Sequence, residues 1–238
     1  MSDPIEQWRQ LKRAGGRRVT IIDLYALVAG PRGLEPHELP LDERFELSRS
    51  ALPIIWPGFE NTHASERPPE VVEVVDYDPT WPERYVRWRA LIREALGETA
   101  LRIEHVGSTA VPGLPAKPVI DVQVSVDDID NESAYVDPLE AAGLQLRTRD
   151  ELHRYFRPFP DQPREVHVHV CPAGSAWERD HVLFRDYLRT HPDAVDAYAS
   201  AKRSAATRWH DDRLAYTDAK TETVLHIMEL ANSWVDGD

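Results

Sequence analysis

The residues best suited to chemistry fall in two stretches, EHVGSTAVPGLPAKPVIDVQVSV from Glu104 to Val126 and EVHVHV from Glu165 to Val170. In the first, Gly107-Ser108 breaks the apolar run Leu101 to Val106. Glycine is free to take a positive φ and serine adds a small hydroxyl, so the turn can bring backbone N–H groups and Ser108 Oγ to an anion such as phosphate. The alternating run beyond Val119 places Val122, Val124 and Val126 on one strand face and Asp121, Gln123 and Ser125 on the other. In the second stretch the valines share one face while His167 and His169 share the opposite one, about 6–7 Å apart by strand rise. Two imidazoles side by side can bind a metal, hold a phosphate or shuttle a proton. Equally, they can be half-exposed strand residues bonded to their neighbours. What separates the two readings is whether this strand shares a sheet with Asp121, polar faces aligned.

The block HVGSTAVPGLPAKPVID, together with REVHVHV, FRDYLR and the Tyr198/Lys202 helix, resembles the GrpB family of the DNA polymerase beta-like nucleotidyltransferase superfold, over roughly Val71 to Trp234. The resemblance implies an α/β (α+β) fold, a mixed sheet with flanking helices and a helical C-terminal lobe. In that superfold a Gly-Ser turn precedes an Asp-x-Asp/Glu strand, and a carboxylate on a later strand completes a magnesium site. Gly107, Ser108 and Asp121 match the pattern. Gln123 stands where the second carboxylate belongs, and the later strand offers His167 and His169 instead.

The resemblance implies ATP or another nucleotide as substrate, a divalent metal and a small-molecule acceptor. Asp121, His167 and His169 become the metal ligands, with Gln123 beside them orienting acceptor or water and one of the histidines as the alternative general base. One Asp, one Gln and two His suit zinc, manganese or iron better than magnesium, which prefers an all-oxygen shell. Three outcomes stay open: magnesium held through Asp121 and the nucleotide's own phosphates, a transition metal, or a nucleotide bound without transfer. Glu104 is a spare carboxylate for the missing one.

The resemblance places three cation-bearing segments around the cleft and so implies Lys117, in the loop before Asp121, Arg154, beside an aromatic strand, and Lys202, on the helical lobe, as partners for a triphosphate. Arg157, Arg164, Arg185, Arg189 and Lys220 read as surface charges unless the fold gathers them. Ser108, His105 and Asp121 do not make a hydrolase triad, because a nucleophile elbow wants Gly-x-Ser-x-Gly and the sequence is Gly-Ser-Thr-Ala-Val. Two competing classes remain: a binding module for a nucleotide or coenzyme A-related ligand, since some family members are fused to a coenzyme A biosynthetic kinase, and a metal-dependent hydrolase.

Positioning these groups requires a substantial core, which 238 residues with 42% hydrophobic and 29% charged can build. The pattern predicts a strand at Val71 to Val75, a helix over Trp81 to Leu96, and strands at Leu101 and Val119. It continues with a helix from Ser133 to Ala142, strands at Leu144 to Thr148, His153 to Phe156 and Val166 to Val170, and helices from Ala176, ending in one from Arg213 to Trp234. Before this block, residues 1–60 read as a mostly helical extension with helices at Ile5 to Arg13 and Leu41 to Leu52. Residues 61–70 read as a linker and 71–238 as the main domain. The extension holds Trp8, Leu24, Tyr25, Leu27, Ile54, Ile55, Trp56 and Phe59, too many apolar residues for a disordered tail. Its apolar surface must meet its own small core, the main domain or a second subunit, and the C-terminal helix presents either core or a homodimer face.

Net charge is −13, and residues 1–65 carry eight Lys/Arg against nine Asp/Glu, so −12 belongs to the remainder. Such acidity argues against general nucleic-acid binding. The single cysteine, Cys171, cannot form an intrachain disulfide, and neither a leader nor a membrane-spanning run is present, so the expected setting is the cytoplasm without membrane contact.

Overall fold

The computed structural model describes residues 3–14, 18–55, 58–62 and 71–236. The chain begins with helices α1 (Pro4–Ala14), α2 (Ile21–Ala29) and α3 (Leu41–Ile55), then an edge strand β1 (Glu60–Asn61). Helix α4 (Trp81–Leu96) leads into strands β2 (Arg102–Val106) and β3 (Ile120–Val126). A short helix α5 (Val136–Ala141) is followed by β4 (Leu144–Arg149), β5 (Arg154–Pro158) and β6 (Val166–Pro172). Helices α6 (Ala176–Thr190), α7 (Pro192–Arg208), α8 (Arg213–Ala219) and α9 (Thr221–Asp236) complete it. The mixed α/β class expected from the sequence is the class found.

Among the described residues, six strands form one sheet in the order β1-β4-β5-β6-β3-β2, antiparallel throughout except for the central β3–β6 pair. Alternation sends Val122, Val124, Val126, Val166, Val168, Val170 and Phe156 to one face, where they pack with Trp81, Ile92 and Leu96 of α4 and Leu139 of α5. Helix α6 covers part of the other face: Gln123 Nε2 donates to the Glu178 carbonyl at 3.3 Å, and Ser125 Oγ donates to Glu178 Oε1 at 2.5 Å. Helices therefore flank both faces. Beyond α6, Leu188, Tyr198, Ile227 and Ala231 give the helical lobe its own core with Val111 and Leu114.

Several expected elements differ. Val71 to Val75 is no strand: Val72 is buried among the residues of the extension and its N–H goes to the His210 carbonyl, so only Val75 makes a bridge, to Ala116. The expected 213–234 helix is two, interrupted at Lys220, whose ψ of 0° leaves the helical range. The 133–142 helix shrinks to a turn of 3-10 helix and α5, because Tyr135, at φ −139°, separates them. Of the expected linker, Asn61 belongs to β1 and Thr62 Oγ1 donates to the Leu146 carbonyl at 2.7 Å, whereas residues 63–70, like Trp56, lie outside the described residues. Among the described residues no helix is long and apolar enough to cross a membrane.

The extension docks on the main domain rather than standing apart. Trp8, Ile21, Leu24, Tyr25 and Val28 share a core with Ala205, Trp209, Ala215 and Tyr216. Polar bonds hold α8 at both ends. At its start, Asp212 caps the Ala215 N–H at 3.0 Å and accepts from Tyr25 Oη at 3.0 Å, with Arg44 at 3.4 Å. Near its end, Asp218 Oδ2 accepts the Ile21 N–H at 2.6 Å. Arg44 and Asp212 are 3% and 1% exposed, so removing one partner strands the other charge in a dry site. Arg44→Met should lower unfolding free energy by about 3–5 kcal/mol and Tyr25→Phe by about 1 kcal/mol in urea titrations.

On the packed face, His105 stacks on Tyr85 with ring centroids 4.6 Å apart and hydrogen-bonds Thr109 Oγ1 at 3.0 Å. It faces away from Asp121, so His105, Ser108 and Asp121 form no triad. Burial pushes its pKa down from 6.5 to about 4. The folded state holds this ring neutral while the unfolded chain protonates it near 6.5. Its contribution is thus complete above that pH and is lost as pH falls toward 4, by at most ~1.4 kcal/mol per unit. Urea unfolding at stepped pH should show this slope reduced in His105→Gln.

Candidate functional site

Strand register builds the site. Across the sheet, Val106 pairs with Asp121 and Asp121 with His167; one step along, Glu104 pairs with Gln123, Gln123 with His169 and His169 with Tyr155. Paired residues point to the same face, so this face collects the polar side chains expected from alternation. The sequence expectation that Asp121, Gln123, His167 and His169 lie together is met in space.

Gly107 ends β2 against Asp121. Its φ of 69° and ψ of −171° suit glycine, and a Cβ there would overlap Asp121 Oδ2 and sit 3.0 Å from Asp121 Cγ. Glycine is needed twice, for its torsion and for the clearance. Ser108 then opens a single 3-10 turn through Ala110.

Asp121 Oδ1 lies 3.0 Å from His167 Nδ1 and 3.5 Å from His169 Nε2. Arg164 Nε donates to His167 Nε2 at 3.0 Å. A guanidinium cannot accept, so Nε2 carries the lone pair and Nδ1 carries the proton that goes to Asp121. Burial opposes the charge on Asp121, but the bonds from His167 and His169 outweigh it and hold the carboxyl well below its usual range. Burial pushes His167 down to about 3, against the pull of Asp121. The pair therefore stands as carboxylate and neutral imidazole. Behind His169, His153 Nε2 lies 2.9 Å from His169 Nδ1, and Asp150 stands 3.8 Å from His153 Nδ1. Trp177 stacks on His153 at 4.9 Å.

One ligand atom each from Asp121, His167 and His169 lies within 4.8 Å of the others. This donor set, one carboxylate oxygen and two imidazole nitrogens, fits a borderline divalent ion. Asp121 offers lone pairs as it stands, and His169 does so at Nε2 once the proton it directs at Asp121 is given up. His167 joins them only by giving up its Nδ1 proton, as ligands do when metal binding releases protons.

The other expected residues divide. Lys117 lines a cavity of 210 Å³ with Arg164, His167 and Arg213. Its ammonium stands 5.4 Å from the Tyr216 ring, and burial, then Arg213 and Lys220, push its pKa down to about 7. Lys202 is 1% exposed, donates to the Pro115 carbonyl and lies 4.6 Å over the Tyr198 ring. It anchors the loop that carries Lys117. Gln123 is fully buried under α6, and among the described residues its Oε1 has no hydrogen-bond partner. Glu104 faces the same side but is tied to Arg185 at 2.7 Å. Arg154 points to the opposite face, where Glu132 accepts from Nε at 2.5 Å and Asp130 from Nη2 at 3.3 Å, so it does not join the cluster.

Sequence reasoning passed over His153 as a site residue, although His153-x-Tyr155-x-Arg157 carries the same period-two signal as the histidine pair. Arg213 and Tyr216 carried no local signal. They reach the site through the docking of α8.

The arrangement is that of an α/β domain whose one polar sheet face joins a glycine-serine turn, a carboxylate and two histidines. The GrpB protein family model matches residues 71–230, and the chain belongs to that family. A UPF0157 protein of Streptomyces coelicolor is 42% identical over 69% of this chain and 88% of that protein. The crystal structure of the conserved protein GrpB from Enterococcus faecalis superposes with a TM-score of 0.61 at 30% identity, covering 68% of this chain and 99% of that one. A Mycolicibacterium paratuberculosis protein named dephospho-CoA kinase is 33% identical over 69% of this chain but only 47% of its own length.

The steric demand at Gly107 is directly testable. Gly107→Ala should destabilise by more than the ~1–3 kcal/mol of a left-handed alanine, whereas Gly113→Ala, with φ 79° and open space around the added carbon, should cost only that. Parallel urea unfolding of the two variants measures the difference.

Proposed function

We propose that the protein binds ATP or another nucleoside triphosphate and transfers its nucleotidyl group to a small-molecule acceptor in a metal-dependent reaction. The observation that carries this reading is the abutment of the Gly107-Ser108 turn on Asp121, with the two histidines across the neighbouring strand. Asp121 and His169 would hold the divalent ion, whose chemistry is to neutralise phosphate charge. His153 and Asp150 fix the His169 ring from behind, and His167 orients Asp121 through its Nδ1–H.

Lys117, the Ser108 hydroxyl and the backbone N–H groups of the turn meet the nucleotide's phosphates. In the transfer step, an acceptor oxygen or nitrogen attacks the α-phosphorus, the bond to the bridging oxygen of the β-phosphate breaks, and pyrophosphate leaves. The acceptor's proton goes to water, because His167 is too weak a base near neutral pH. Catalysis then rests on positioning and charge neutralisation.

A second reading, ligand binding without turnover, draws support from Gln123 in place of a carboxylate and from Glu104 already paired with Arg185. The kinase name of the mycobacterial relative suggests coenzyme A-related molecules as its test ligands.

Calorimetric titration of metal-stripped protein with ATP, adding magnesium, manganese or zinc in turn, should give metal-dependent binding that Asp121→Ala weakens at least about a hundredfold, the upper end of what losing even an outer partner of a metal ligand costs. Nucleotide binding indifferent to both metal and Asp121→Ala would contradict the transferase reading. Binding that depends on both, but without pyrophosphate release for any acceptor, would favour the second.

A further inference from the structure

One short pattern occurs on two neighbouring helices: Tyr198-Ala-Ser-Ala-Lys202 in α7 and Tyr216-Thr-Asp-Ala-Lys220 at the end of α8. The i,i+4 spacing sets each lysine over its own tyrosine. Lys202 Nζ lies 4.6 Å from the Tyr198 ring centroid, and Lys220 Nζ lies 4.8 Å from that of Tyr216. Lys220 also reaches the Tyr198 ring, at 5.9 Å, and Lys117 meets Tyr216 from the loop before Asp121, at 5.4 Å. Two tyrosines, 5% and 1% exposed, thus carry three ammonium groups.

The three lysines are not equivalent. Lys202 is buried and spent on the Pro115 carbonyl. Lys117 and Lys220 are half-buried, and among the described residues neither ammonium has a hydrogen bond or a carboxylate within ion-pair distance. Lys220 is the charge that acts most on Lys202 and stands next to Arg213 among those acting on Lys117, so the three share one neighbourhood. Asp121 is the carboxylate that acts on both Lys117 and Lys202. The glycine-serine turn is tied to the same wall. Arg189 Nε donates to the Ala110 carbonyl at 3.0 Å, Val111 and Leu114 pack with Tyr198, and Lys202 holds Pro115, so the chain from the turn to Lys117 is clamped on α6 and α7. Lys117 comes four positions before Asp121 and lines the cavity beside His167, whereas Lys220 belongs to the helices beyond. A phosphate chain that starts at Asp121 therefore meets Lys117 first and Lys220 after it.

We propose that Lys220 binds the terminal phosphate of the donor, so that the site selects a nucleoside triphosphate over the corresponding diphosphate. This rests on the transferase reading, with Lys117 on the phosphates nearer Asp121. A lysine meets phosphate as a point charge, and its stem can stay on the rings of Tyr216 and Tyr198 while the ammonium reaches an oxygen. Lys202, fixed on Pro115, is a positioning residue: it seats the loop that brings Lys117 to Tyr216.

The probes are ATP, ADP and inorganic tripolyphosphate, each titrated calorimetrically into the full chain with manganese, and again into Lys220→Met and Lys220→Arg. Lys220→Met should weaken ATP and tripolyphosphate about tenfold or more and leave ADP within about twofold, in keeping with the loss of a charge-assisted bond to one phosphate only. Lys220→Arg keeps the charge and should hold ATP within a few-fold of the parent. Methionine keeps an apolar stem on the two rings, and unchanged ADP binding shows that the variant is folded. Equal weakening of ATP and ADP, or no change in either, would overturn the role of Lys220, while the transferase reading stands as long as ATP binding still depends on metal and on Asp121. If neither nucleotide binds with any metal but tripolyphosphate does, and Lys220→Met weakens it, the transferase reading falls and the phosphate site stands. If none of the three binds, both fall.

Discussion

Everything on the polar face depends on the parallel pairing of β3 with β6. Residue for residue, Asp121 meets His167 and Gln123 meets His169, while the intervening valines meet in the core. A slip of one residue would send the histidines into the packing of α4 and the valines into the cavity. The hydrophobic face therefore sets the register of the chemical one. Val122, Val124, Val166, Val168 and Val170 are fully buried, so a shifted pairing would forfeit the burial of several side chains, each worth roughly 1.5–3 kcal/mol. The site's geometry is fixed by residues that do no chemistry.

The electrostatics follow from where the sheet is covered. Toward the far end of β3, α6 closes over Gln123 and Ser125, and Glu178 takes up Ser125, the Gly174 N–H and, at 3.6 Å, Arg102. At the near end, beside Asp121 and His167, no helix among the described residues closes the face, and a cavity lies between the Lys117 loop and α8. One end of a single strand face is thus covered by α6, and the other opens onto a cavity lined by Lys117, Arg164, Arg213 and Glu73.

How much of this was readable in advance depended on the range of the interaction. Period-two alternation is local, so Asp121, Gln123, His167 and His169 could be assigned a common polar face, and the Gly-Ser turn could be placed before them. The facing of Lys117 into the cavity also agreed with its loop position. Arg154 could not be told from Arg157 by composition, yet one residue of parity sends the first to Glu132 and the second toward the cleft. Lys202 looked like a cleft cation because the family resemblance places its helix beside the cleft, and neither that nor its i,i+4 spacing reveals that its ammonium turns inward to the Pro115 carbonyl. The Val71 segment failed as a strand for a related reason: its backbone partners, His210 and Ala116, are distant and singular, and no ladder forms. The seat of the extension was beyond local reach altogether, since the bonds that fix it join residues 167 to 197 positions apart.

That last span has a kinetic meaning. Ile21 and Arg44 leave the ribosome long before Asp212 and Asp218, so α2 can pack on α1 and α3 early, but the part of its apolar side that meets Ala215 and Tyr216 stays uncovered until nearly the whole chain has been made. Contacts of such sequence separation carry a large loop-closure term and form late. The central sheet, closed by pairings within residues 102 to 172, can assemble first, and the wall that bears Arg213 and Tyr216 is set only when the two ends of the chain meet. A chain truncated or stalled before α8 would accordingly carry the Asp121 strand without the surface that bears Arg213 and Tyr216.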